Sequence, residues 1–204
     1  MKQAILHLKQ ADPVLAEIIG RVGEYRIQFR EPEFATLVRS IVYQQLSGRV
    51  AAVIHGRLEA ALAGSVTPAG ILKLRPQRMR KLGLSAAKTA YIRDLARHTR
   101  DGSVIFEDLP DLPDQEVIER LTRVKGIGVW TAQMFLIFSL GRLDVFPHDD
   151  LGVRSAIRNL YGLDELPNKE VSHRIATPWR PYASVASWYC WRSLEFKDRR
   201  KKAG

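Results

Sequence analysis

Three short stretches of the chain place reactive or binding groups at informative spacings. The first is "VFPHDDLGVR", where Asp149 and Asp150 are adjacent carboxylates. Pro147 turns the chain just before them and a helical pattern begins just after, so the pair sits at a helix start. An aspartate there caps the helix by accepting an amide of its first turn. One cap needs one carboxylate, so a pair leaves a second to stabilise a nearby positive charge or to orient water. The second stretch is "VKGIGVWTA", where Gly126 and Gly128 flank Ile127 between two helical runs. Glycine takes positive φ without a Cβ penalty. A tight turn is therefore open to them, and its amides, with the N-terminus of the next helix, make an anion site suited to a phosphate. The third is "SWYCW", which with Trp130 supplies indole faces able to attract a cation. Each has a plainer reading: a cap, a glycine turn between helices, and core packing. Trp188 and Trp191 are three residues apart on one helical face, so at least one belongs to a core. "HDD" also has metal-ligand chemistry, but His7, His55, His98 and His173 form no close ligand pattern with it.

These groups must be positioned by helices. "DPVLAEIIGRVG" opens with Asp12 as N-cap and Pro13 in the first turn. "EPEFATLVRSIVYQQLS" sets Phe34, Leu37, Val38, Ile41 and Val42 on one face, and "GRVAAVIHGRLEAAL" continues the pattern. Ser85 caps "SAAKTAYIRDLARHTR", and acidic residues begin "PDQEVIERLTRV". "WTAQMFLIFSL" is apolar nearly all round and predicts a central buried helix. Two further helices follow in "DLGVRSAIRNLYG" and "SVASWYCWRSLEF". "YRIQFR" alternates, and is expected to be an extended connector. The reading is an all-α chain with no internal repeat.

Length allows one large domain or two small ones sharing a core, with a sizeable interior. No apolar run approaches the roughly 20 residues of a membrane span, and the N-terminus does not read as a signal peptide. One cysteine, Cys190, excludes a disulfide framework or a cysteine-bound cluster within the chain, and fits the cytoplasm. Lys and Arg number 32 against 22 Asp and Glu, a net charge of +10. The tail "KDRRKKAG" (197–204) holds five positive and one negative, so the rest still carries +6. Nucleic acid is the leading partner for such a field.

Taken together, "VKGIGVWTA" followed some twenty residues later by "FPHDDLGVR" resembles the helix-hairpin-helix DNA glycosylase superfamily, and within it the bacterial 3-methyladenine DNA glycosylase II type. "SIVYQQLSGRVAA", "LGLSAAKTAYI" and "PWRPYASVASWYCW" support the match, which runs from about Glu33 to Trp191. The resemblance implies two helical lobes with an active-site cleft between them, in a single domain over residues 1–204. The chain is expected to cross between lobes near 102–113. The implied activity is flipping and hydrolytic excision of alkylated purines, 3-methyladenine and 7-methylguanine, from double-stranded DNA by a monomer with no cofactor. Asp150 matches the catalytic aspartate, with Asp149 as a capping or loop residue. Gly126 and Gly128 match the glycines that donate to a phosphate, with Lys125 beside them. The carbonyls of Thr122, Val124 and Ile127 match positions that hold a monovalent cation (Na or K). Trp130, where lyase relatives carry a lysine, implies that strand cleavage is absent. Trp130, Trp188, Met134 and Tyr43 are expected around the base, Met134 replacing an aromatic wall. Gln44, Gln45 and Leu46 lie where the family inserts a wedge, either Gln45 or Leu46. Lys88 is a phosphate contact or a solvated side chain. The rival reading is a non-catalytic helix-hairpin-helix protein that binds damaged or structured DNA.

Overall fold

The computed structural model describes residues 1–202, with side chains through Phe196. The basic tail read at 197–204 therefore lies outside the residues whose side chains are described. Among the described residues the secondary structure is all helical, as the periodicities predict. The first helices are α1 (Lys2–Ala11), α2 (Pro13–Val22), α3 (Phe34–Tyr43) and α4 (Gly48–Ala61). Two short ones, α5 (Pro68–Lys73) and α6 (Pro76–Lys81), precede α7 (Ala86–Arg100) and α8 (Asp114–Thr122). Then come α9 (Val129–Phe138), α10 (Leu151–Leu160), α11 (Lys169–Ala176) and α12 (Ala183–Lys202). None is long and apolar enough to cross a membrane among the described residues. "YRIQFR" is irregular, the connector expected.

The chain forms two compact units. One comprises Met1–Phe29 with Gly141–Gly204, the other Arg30–Leu140. The crossings thus fall at 29/30 and 140/141, not near 102–113. That segment stays inside the second unit because Val104, Phe106 and Leu109 are buried there. Pro110 lies in a packed 3-10 turn (Leu109–Asp111) rather than in a link.

In the first unit, Asp12 joins the two ends of the chain. One carboxylate oxygen caps α2, accepting the amides of Val14 and Leu15 at 2.9 and 3.1 Å. The other accepts the Tyr161 hydroxyl and the Trp179 indole N–H, 149 and 167 residues away. Asp12 is buried, and four donors offset the cost of desolvating its carboxylate. Leu8, Leu15, Ile157, Val185 and Tyr189 fill the surrounding core.

In the second unit, α7 packs on α3, α5 and α6, and α8 on α9. Hydroxyls of Ser47, Thr67 and Ser85 cap α4, α5 and α7. The Arg93 guanidinium closes the other end of α5, donating to the carbonyls of Ile71 and Leu74 at 3.2 and 2.8 Å. Helix α9 is central for most of its length, with Ala132, Phe135, Leu136 and Ile137 buried, but its first turn emerges: Trp130 is 44% exposed.

Candidate functional site

The two glycines of the hairpin do different work. Gly126 has φ +82, the left-handed region, and a Cβ there would lie 2.1–2.6 Å from ring atoms of Tyr91. It is glycine both for its backbone and to let that ring in. Gly128 has φ −91 and ψ 173, which any residue adopts, and a Cβ there would meet open space. Its place is as N-cap of α9. The Lys125 amide donates to Asp94 Oδ2 at 3.0 Å, and the Ile127 amide to the Val124 carbonyl at 3.1 Å. Asp94 is itself buried and held by Arg97 at 2.9 Å.

The turn after α3 is tied to this hairpin. Gln44 Nε2 donates to the Gly126 carbonyl at 2.9 Å. Lys88 Nζ donates to the carbonyls of Val42 and Gln44, each at 2.7 Å, and partial burial lowers the pKa of its ammonium. Gln44 and Lys88 are therefore braces. The Lys88 side chain, read as a phosphate contact or a solvated one, reaches two backbone carbonyls, because its helix places the ammonium at the open C-terminus of α3. What the braces present is Gln45, exposed and at φ +55, followed by Leu46, 37% exposed. A non-glycine residue in the left-handed region carries strain of about 1 kcal/mol or more, which the surrounding contacts must hold.

A cavity of about 730 Å³ opens beside these groups, lined by Arg30, Arg39, Ser40, Tyr43, Gln45, Trp130, Thr131, Met134 and Phe138 among others. Three of the residues expected around a base, Tyr43, Trp130 and Met134, thus share one cavity. Two arginines line it that the sequence reading did not single out. The Arg39 guanidinium lies 3.9 Å from the centre of the Tyr43 ring, covering one face. Burial, and then the Arg39 charge, lower the pKa of Arg30.

In the other unit, the loop before α10 makes two tight turns, His148 N–H to Phe146 O at 3.0 Å and Asp150 N–H to Pro147 O at 2.9 Å. They deliver Asp150, 8% exposed, to the N-cap of α10. Its Oδ1 accepts the Val153 amide at 2.8 Å and the Trp191 indole N–H at 2.7 Å. Of the two roles open to Asp149, a cap or a loop residue, the structure shows the loop. Asp150 is both the cap and the buried carboxylate, whereas the Asp149 side chain is 72% exposed and lies 3.2 Å from His148 Nε2.

A helix-turn-helix with one obligatory glycine, an aromatic-lined cavity beside it and a buried capping aspartate twenty residues on is a specific combination. Residues 38–181 match the model of the HhH-GPD superfamily base excision DNA repair proteins. The chain belongs to that superfamily. It is 34% identical over 208 residues to a DNA-3-methyladenine glycosylase 1 of Schizosaccharomyces pombe, covering 98% of this chain and 91% of the relative. Among solved structures, an S. pombe 3-methyladenine DNA glycosylase in complex with abasic DNA superposes with a TM-score of 0.85 at 34% identity, covering 95% of this chain and 97% of that one. A DNA-3-methyladenine glycosidase from Bacillus halodurans gives 0.84 at 38% identity, covering 92% and 86%.

Trp188, the fourth residue expected around the base, belongs to the other unit of this HhH-GPD protein. That indole is 7% exposed and packs edge-on against Tyr25 and Tyr189, with centroids 4.8 and 4.9 Å away, inside the core of its own unit. Of the two tryptophans on that face of α12, Trp188 faces the core and Trp191 reaches Asp150. Cys190 is fully buried, and burial pushes its thiol well above the usual range. Spacing alone could not reveal Trp191, Arg39, Asp94 or Gly152 as site-shaping residues. The signals were weak: an indole on one face with another, and a glycine two places after an aspartate.

Proposed function

We propose that the protein is a monofunctional glycosylase that excises alkylated purines, 3-methyladenine and 7-methylguanine, from double-stranded DNA. The observation that carries the reading is Asp150, a buried carboxylate fixed by two donors on one oxygen, in a chain of this superfamily. A base within a duplex is out of reach, so the nucleotide is flipped from the stack. The cavity holding Tyr43, Trp130 and Met134 receives the base. Alkylation at N3 or N7 makes the purine cationic and a good leaving group without a general acid. The C1′–N bond breaks with its electron pair going to the base. The sugar cation that develops is stabilised by the Asp150 carboxylate, water adds at C1′, and its proton is lost to solvent. Electrostatic help of this kind in a partly dry site is worth a few kcal/mol.

The amides of Gly126 and Gly128, at the start of α9, serve a backbone phosphate and so hold DNA without reading its sequence, with Lys125 beside them. Gln45 or Leu46 fills the gap left by the flipped base. The carbonyls of Thr122, Val124 and Ile127 would hold a Na or K ion, which would add positive charge at the hairpin. Val124 already accepts one amide, and a carbonyl has a second lone pair to give. Trp130 has no amine for a Schiff base, and Lys88 spends its ammonium on two carbonyls, so the product is an intact abasic strand. The protein acts as a monomer in the cytoplasm.

The deciding experiment is release of free base from methylated DNA by the parent protein and by Asp150→Asn. The expected result is release by the parent, near-complete loss in the variant, and unchanged binding to an abasic duplex. A parent that binds damaged DNA but frees no base overturns the reading in favour of a binding protein.

A further inference from the structure

We infer that Trp191 is a positioning residue for Asp150, and that residue 152 is glycine so that the Trp191 indole can reach it. The inference rests on the reading of Asp150 as the carboxylate that stabilises the sugar. Two independent observations carry it. The first is the hydrogen bond from the Trp191 indole N–H to Asp150 Oδ1, at 2.7 Å across 41 residues of sequence. The second is the space above Gly152. A Cβ there would lie 2.9 Å from Trp191 Cδ1, 3.1 Å from Trp191 Nε1 and 3.0 Å from Asp150 Oδ1. Gly152 sits in the first turn of α10 with ordinary helical backbone, so its backbone does not call for glycine. The contact with the indole and the carboxylate does.

The physical consequence concerns direction. An aspartate held only by its cap accepts one amide and keeps freedom to rotate about Cβ–Cγ. Here the Val153 amide and the indole N–H both fall on Oδ1, from a helix turn and from a separate helix. Two donors on one oxygen fix the carboxylate plane, and therefore the direction in which Oδ2 points. Electrostatic stabilisation depends on that direction being set before the charge develops, since reorientation during the reaction is part of the barrier. An indole is suited to this because it has one donor, no acceptor, and a rigid frame.

The experiment compares Trp191→Phe, Gly152→Ala, the double variant and Asp150→Asn in single-turnover base release and in affinity for an abasic duplex. Trp191→Phe keeps most of the ring and removes the donor. Gly152→Ala keeps the donor and displaces it. We expect each to slow release by about tenfold to a hundredfold, the range for losing a hydrogen bond to a charged group. DNA affinity should stay unchanged, and the double variant should be no slower than the slower single one. A second readout needs neither DNA nor activity. In protein labelled at its tryptophans, the Trp191 indole N–H resonance should move in Asp150→Asn and in Gly152→Ala while Trp130 and Trp179 hold. Release at the parental rate by Trp191→Phe, with Asp150→Asn inactive, overturns the inference alone. So does a loss of DNA affinity that accounts for the slowing, or multiplication of the two single effects. Normal release by Asp150→Asn overturns the parent reading and this inference with it. If Trp191→Phe does not fold, Gly152→Ala and the indole resonance decide.

Discussion

The hairpin and the aspartate loop solve opposite problems. At the hairpin the groups proposed to meet a phosphate are backbone amides, and side chains hold the turn: Asp94 on the Lys125 amide, Gln44 on the Gly126 carbonyl, Lys88 behind Gln44. At the aspartate loop the group offered is a side chain, and the frame is a helix amide and an indole. A backbone binder cannot be deleted by one substitution, but it is broken by anything that alters its path. A side-chain site tolerates changes of path poorly too, yet it is lost outright when one functional group goes. The two regions should therefore fail differently, one in affinity and the other in rate.

The largest expected effect tests the side-chain half. Asp150→Asn preserves size and capping ability, so base release should fall by about a thousandfold while affinity and thermal stability hold. Asp149→Asn, at an exposed position, should change little. If Asp149→Asn is the inactive variant, the buried carboxylate is not the reactive one.

Trp188→Ala comes next and bears on the core rather than the chemistry. It empties a site packed by Tyr25, Tyr189 and the surrounding apolar side chains, which costs about 3–5 kcal/mol of stability. Denaturant titration should show that loss, and the protein that remains folded should release base at close to the parental rate. A well-folded Trp188→Ala with a crippled rate would instead give Trp188 a role at the base.

The hairpin half is tested by a pair of substitutions. Gly126→Ala puts a methyl into the Tyr91 ring and forces alanine to positive φ, for about 1–3 kcal/mol of stability and a loss of DNA affinity alike on all sequences. Gly128→Ala meets neither obstacle, so stability should move by less than about 1 kcal/mol. Equal damage from both, measured by thermal unfolding and by binding across several duplexes, would show that the turn is not organised around Gly126.

How much of this was legible beforehand follows the same division. Helix periodicity placed α3, α7, α9 and α12, and "GIG" with "HDD" located the hairpin turn and the N-cap of α10, because local backbone demands leave local residue patterns. The braces were not legible. Lys88 to Val42 spans 46 residues and Asp94 to Lys125 spans 31, and no local pattern encodes such a partner. Trp188 and Trp191 show the limit most clearly. Periodicity put both on one face, yet only the packing of α2 and the connector at Tyr25 decides which indole is buried. The lobe crossing failed for a related reason: prolines near 110 mark a turn, and whether a turn links or packs depends on distant apolar partners.

The smallest effect concerns the choice of lesion. An aromatic pocket alone favours a cationic base over a neutral one, since an indole or phenol ring attracts positive charge. The cavity carries an opposing charge in Arg39, whose guanidinium covers one face of Tyr43, and in Arg30 beside it. A cationic purine entering there meets like charge and a ring already occupied. Release of 7-methylguanine should still exceed that of hypoxanthine, because the charged base leaves more readily, but by less than the aromatic lining alone implies. Arg39→Gln removes the charge and frees the ring face, and should widen the ratio by about two- to fivefold, as expected of a contact worth roughly 0.5–1 kcal/mol. Single-turnover release on matched duplexes carrying each lesion measures both ratios. An unchanged ratio would mean that Arg39 turns toward the DNA backbone when the duplex binds, and that the Tyr43 face is open to the base in the parent protein as well.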